Sequence, residues 1–194
     1  MTDEEFVAEL KKRTEKERYA TGCFKGLPED KHYEELNIAG FVLEYLRQPA
    51  ASRKSEPHGP DTAPDVAVVL QTGERIGLEI TELVDGALRR EHASHRAAEG
   101  TYREWTEKEI AAELGLLIKR KDTDAHLRNH APDYDAIWLA VFIGEQHIND
   151  FPGLVPKAIA HLTYRPALIS RVFVVLDYLP GRSDSGYPVI EVLG

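Results

Sequence analysis

The chain has 194 residues, 42% of them hydrophobic and 29% charged, and its 33 acidic against 24 basic residues leave a formal net charge of -9. That length and apolar fraction suit one domain with a proper core and exclude the disordered and fibrous classes. No run approaches the roughly 20 apolar residues of a membrane helix, the first residues lack a signal-peptide pattern, and the single cysteine, Cys23, excludes a disulfide framework and a cysteine-based zinc knuckle.

The expectation is a cytoplasmic, single-domain protein with no membrane contact. Its acidic balance opposes broad binding to duplex nucleic acid, so any such contact has to come from local basic clusters.

In chain order, residues 2–18 read as a charged helix. Phe6, Val7, Leu10 and Thr14 form a stripe too narrow for a core helix, which suggests a surface arm or a contact with a second copy in a homodimer. Residues 21–32, with Gly22, Gly26 and Pro28, read as loop. A firmer helix is expected at 33–47, where Leu36, Ala39, Gly40, Leu43 and Leu46 share a face. The proline-rich stretch 49–63 predicts no regular element.

Two β-branched runs, 64–71 and 74–84, flank a Thr72-Gly73 turn and predict a hairpin. A long helical region follows at about 86–121, with a break near Gly100. Strands are expected at 135–143, 171–179 and 189–193, and a helix at 154–162 after Pro152-Gly153. The order describes a mixed α/β domain.

The hairpin register can be counted from its turn. A loop of Gln71, Thr72 and Gly73, with Gly73 left-handed, sets Leu70 against Glu74 and places Asp65 opposite Glu79. Val66, Val68, Leu70, Ile76, Leu78 and Ile80 then share one apolar face. The other face carries Asp65, Ala67, Val69, Arg75, Gly77, Glu79 and Thr81. Two neighbouring carboxylates repel unless a cation or proton lies between them, and a hard divalent ion such as magnesium or manganese suits all-oxygen donors.

Pro64-Asp65, thirteen residues, then Glu79-Ile80-Thr81, with Gly77 ahead of the acidic position, resembles the PD-(D/E)XK nuclease superfamily, the restriction-endonuclease-like fold. The resemblance implies a mixed β-sheet core flanked by helices over residues 33–143. Residues 144–194 then supply a helix and strands that extend the sheet, and 1–20 form the charged arm. It also implies metal-dependent hydrolysis of phosphodiester bonds. Asp65 and Glu79 match the motif's metal-binding acidic residues, joined by the backbone carbonyl of Ile80 and by Glu44 (or Glu35) from the preceding helix.

Thr81 stands where the motif has lysine, and a threonine hydroxyl is neither a cation nor a useful base. Members that move this lysine place it on the following helix, where Lys108, Lys119 and Lys121 are available; Lys119 is taken as the catalytic cation. The family's first strand, due between the helix and the Pro-Asp pair, has no counterpart in the proline-rich stretch.

Arg89, Arg90, Arg96 and Arg103 form a local basic cluster for a nucleic-acid backbone. The alternative function is a decayed nuclease fold that binds protein or nucleic acid. The spacings His92/His95 and His126/His130 and the lone Cys23 match no metal or nucleophile pattern.

Overall fold

A computed structural model describes residues 28–55, 64–85, 103–177 and 186–194. The charged arm, Cys23, His92, His95, Arg89, Arg90 and Arg96 lie outside these residues. Among the described residues six strands form one mixed sheet whose spatial order equals the chain order: β1 (Ala50–Ser55), β2 (Val66–Leu70), β3 (Arg75–Leu83), β4 (Ala136–Ile143), β5 (Ile169–Leu176) and β6 (Val189–Leu193). Strands β1 and β3 each run antiparallel to β2; β3, β4 and β5 run parallel, and β6 returns antiparallel to β5. The expected class is met: an α/β chain with a mixed sheet flanked by helices.

The alternation of the strands produces two cores. On one face Val66, Val68, Leu70, Ile76, Leu78, Ile80, Trp138, Ala140, Phe142, Phe173 and Val175 are buried under α1 (Pro28–Tyr45), which contributes Ile38, Ala39, Val42 and Leu43. The other face carries Leu83, Ile137, Leu139, Val141, Ile143, Val172, Val174 and Leu176. It is covered by α2 (Glu107–Asp122), α3 (Ala125–His130), α4 (Gln146–Asp150) and α5 (Leu154–Ile159). Near-continuous apolar β4 and β5 are what a strand buried on both faces requires.

Helix α2 begins with a capping box. The Thr106 side chain accepts from the Glu109 amide, while the Glu109 carboxylate accepts from the Thr106 amide at 2.9 Å. The Thr106 hydroxyl and the Arg103 guanidinium hold the Glu109 carboxyl down at about 2.

Three sequence expectations are corrected. The stretch 49–63 was expected to hold no regular element, yet β1 occupies Ala50–Ser55 and supplies the first strand that the family resemblance calls for. Arg47 makes it reachable. With φ at 51° it closes a turn in which the Gln48 amide donates to the Leu43 carbonyl at 3.0 Å, sending the chain back along β2. Of the expected helical region over 86–121, residues 86–102 lie outside the described residues; residues 103–106 are not helical, and the described helix begins at Glu107, behind the extended Thr106 cap. Finally, α4 is a short helix that the periodicity did not show.

Candidate metal and phosphodiester site

The hairpin closes as the turn chemistry dictates. Gly73 takes φ 89°, its amide donates to the Leu70 carbonyl, and the Leu70 amide donates to Glu74, both at 2.9 Å. The register then runs Val69↔Arg75, Val68↔Ile76, Ala67↔Gly77 and Val66↔Leu78, so the next position outward sets Asp65 against Glu79. Asp65 sits at a bend ahead of β2, where its Oδ2 accepts from the Ile80 amide at 2.8 Å. This bond fixes the carboxylate at the end of β2, beside Glu79.

Glu79 is 7% exposed in the middle of β3. Burial and then the charge of Asp65 push its carboxyl above the ordinary value; the lysine Lys121 pulls it down, and Asp124 adds a further push up. Lys121, from the last turn of α2, places its Nζ in direct contact with Glu79 Oε1. One surface patch thus brings together two carboxylates and a lysine from three elements. Asp124 stands just beyond, engaged as the cap of α3 through bonds from the His126 and Leu127 amides.

The position of Lys121 is itself built. The neighbouring Asp122 is 2% exposed and accepts from the Tyr164 hydroxyl (2.7 Å) and from the amides of Ala167 (3.0 Å), Leu168 (2.7 Å) and Ile169 (3.1 Å). Burial by itself would raise this carboxyl, but those bonds outweigh it and hold it below the usual aspartate value. The end of α2 is thereby pinned to the start of β5.

Other sequence-predicted residues fall elsewhere. Lys119 is exposed on the solvent side of α2, and its carbonyl accepts from Thr123; two residues along a helix turn a side chain through about 200°, so Lys121 and not Lys119 reaches Glu79. Glu44 is exposed on α1, which packs on the opposite sheet face, and it lines a cleft with Arg47 and Arg53 rather than meeting Asp65. Glu35 is fully buried on α1.

Thr81 is 8% exposed on β3, on the face of Glu79 and paired with Val141. Ile80 buries its side chain in the α1 core and presents only backbone to the site. Arg103 is committed within the protein: it pairs with Asp85 at 3.1 Å and Glu109 at 2.8 Å and lies 4.1 Å over the Trp105 ring. His126 is exposed, and His130 approaches Asp133 at 3.7 Å.

Sequence reasoning missed the role of Asp122. Its signal, an aspartate closing a helix whose last turn is otherwise basic (Lys119, Arg120, Lys121), is faint.

Among the described residues no group of three or more His, Cys, Asp or Glu side chains is placed to hold a metal ion, so the donor set is the Asp65/Glu79 pair. Two carboxylates are what magnesium ordinarily takes from a protein, the remaining positions being filled by water and substrate phosphate oxygens. Asp65 Oδ1 and Glu79 Oε2 are hard donors outside the bonds just described, and the Asp65 charge that adds to burial in raising Glu79 is of the kind a cation relieves. The residues fit such an ion.

No protein-family model and no curated protein matches the chain. Among solved structures it is similar to SfsA from Pyrococcus furiosus in complex with Ca2+, at 16% identity and a TM-score of 0.30. The match covers 79% of this chain and 57% of that one, so the chain spans little more than half of the SfsA chain. No helix among the described residues is long and apolar enough to cross a membrane.

Proposed function

We propose that the chain is a metal-dependent nuclease of the restriction-endonuclease-like type, hydrolysing phosphodiester bonds at Asp65, Glu79 and Lys121. The observation that carries this reading is the meeting of Lys121 with Glu79 beside Asp65. Two carboxylates on a β-hairpin and one lysine are the side chains that the PD-(D/E)XK pattern calls for, here with the lysine delivered from the following helix instead of from position 81.

Each residue has a distinct task. Asp65 and Glu79 hold the divalent ion, magnesium or manganese. When bound, that ion supplies Lewis-acid stabilisation of charge on the phosphate and makes water a better nucleophile at neutral pH. Lys121 places a positive charge against the same carboxylate, where it orients the attacking water and offsets the charge that grows on the phosphate oxygens. Thr81, buried on the same face, contributes shape but no charge.

The test is cleavage of duplex DNA, single-stranded DNA and RNA with magnesium or manganese, wild type beside Glu79→Ala. Cutting is expected from the wild type and a loss of about 10²-fold or more from the variant, the scale on which a charge-stabilising group acts. Cutting unaffected by the substitution, or none from either protein on any substrate, overturns the reading and leaves the nuclease fold as a binding module.

A further inference from the structure

The half of the sheet beside the site has an asymmetry that catalysis does not require. On the α1 side β2 and β3 are sealed, with Val66, Val68, Leu70, Ile76 and Leu78 no more than 4% exposed. On the side that bears Glu79, the covering helices rest on β3, β4 and β5, and the surface of β1 and β2 stays accessible: Ser52 and Lys54 are exposed, Ala67 and Val69 half-buried.

The register decides what faces this shelf. Lys54 pairs with Ala67, and Ala67 with Gly77; in the next row Val69 pairs with Arg75. Opposed residues project from one face, so Lys54 and Arg75 stand on the face of Asp65 and Glu79. Between them lie two small residues: Ala67 is half-buried, whereas Gly77 is buried under the side chains of Pro64, Ile137 and Tyr134. Gly77 is required there, since a Cβ would meet Pro64 Cγ at 2.7 Å and Ile137 Cδ1 at 2.8 Å.

Neither cation belongs to an ion pair among the described residues. Arg75 is exposed, with its guanidinium 5.5 Å over the Tyr134 ring; its amide donates to the Asp135 carboxylate and its carbonyl accepts from the Asp135 amide. Strand spacing puts Lys54 one strand across and two residues along from Asp65, about 8 Å between Cα atoms. Arg75 lies four residues before Glu79, about 14 Å away.

From this placement we propose that the open β1–β2 face is the track for a single nucleic-acid strand, whose phosphates follow Lys54 and Arg75 as it leaves the Asp65/Glu79 site. It rests on the nuclease reading and names its substrate class. In a chain of net charge -9, cations on one shelf beside two carboxylates form a local complement to a phosphate backbone. Two contacts suit a single strand better than a duplex, which proteins hold through many more phosphates. Tyr134, packed on the core beside Gly77, holds the Arg75 guanidinium at the far end of the track.

The experiment is fluorescence anisotropy with labelled 12-nucleotide single-stranded DNA and RNA and a matching duplex, in EDTA and in calcium, across a salt series. Wild type is compared with the Lys54→Ala/Arg75→Ala double variant and with Lys157→Ala, an exposed lysine on α5 that pairs with Glu107. The double variant is expected to bind the single strand about tenfold more weakly, with a salt slope shallower by roughly 1.4, at about 0.7 per phosphate contact. Lys157→Ala is expected to match wild type.

Wild-type affinity retained by the double variant overturns the track and leaves the catalytic reading standing. Preference for the duplex overturns the single-strand assignment. Binding that depends on Lys54 and Arg75, without cleavage under any metal, keeps the track and removes the reaction. No binding of any strand by the wild type removes both.

Discussion

Glu79 shows how one side chain can be costly to the fold and useful to the site. Burial and Asp65 both disfavour its ionised form, so its carboxyl in the folded protein lies above the unfolded value. The sign follows from linkage: a raised carboxyl contributes stability below the unfolded value and loses it as pH rises through the folded one. Glu79→Gln, measured in EDTA by thermal unfolding from pH 4 to 8, is therefore expected to melt higher than wild type at neutral pH. The gap should close toward pH 4, and parallel curves would contradict the electrostatic account.

Lys121 belongs to the same scale. Its substitution by alanine is expected to lower the cleavage rate by about 10²-fold, whereas Lys119→Ala, two positions back and exposed, should cut as wild type does. A reversed order of effects would return the catalytic cation to Lys119. The helical run 107–122 shows that several lysines are available, but the spacing leaves open which one faces the sheet, because α2 packs through Ile110, Ala111, Leu114 and Ile118 and its last turn can be rotated by whatever anchors it.

At the scale of elements, that anchor is Asp122. Four donors converge on one buried carboxylate and tie the end of α2 to the start of β5, the kind of satisfied polar cluster that fixes a helix in rotation as well as position. Asp122→Ala leaves three amides and the Tyr164 hydroxyl without their acceptor. The expected loss is about 3 kcal/mol, read as a fall in Tm of roughly 6–12 °C for a chain of this size.

Because the carboxyl is held below its ordinary value, its contribution is present above the unfolded aspartate pKa and disappears as pH falls through the folded one. The deficit of the alanine variant should therefore shrink in acid. A deficit that is constant with pH would assign the loss to packing instead.

The hairpin behaves differently. Its register follows from Gly73 and the alternation of the two runs, both local signals, and the observed pairing matches the count from the turn. Strand β1 carries no such signal. It lies at the sheet edge with Ala51, Ser52, Arg53 and Lys54 exposed, so its conformation is held by bonds to β2, joined by the Arg53 guanidinium, which donates to the Leu36 carbonyl at 3.3 Å. Its Arg-Lys pair is also a common guard against edge-to-edge pairing.

For the molecule as a whole, a real ion site couples metal to folding. Magnesium or manganese at about 100 times its dissociation constant would stabilise the fold by roughly 2.7 kcal/mol, a Tm rise of about 5–10 °C. Glu79→Gln and Asp65→Asn should lose most of that rise. Equal shifts in all three proteins would assign the ion to another place.

What the sequence determined on its own is whatever depends on short-range chemistry: the acidic balance, the α/β class, the turn at Gly73, and the face that Asp65 and Glu79 share. Period-two alternation and a left-handed glycine fix these within a dozen residues. The tertiary structure decided what depends on long-range partners. It formed β1 against β2, exposed Glu44 on the far side of the sheet, committed Arg103 to Asp85 and Glu109, and chose Lys121 over Lys119 through a carboxylate bonded 42 to 47 residues away. Helical spacing specifies relative angles around an axis; only packing against the sheet sets the absolute rotation.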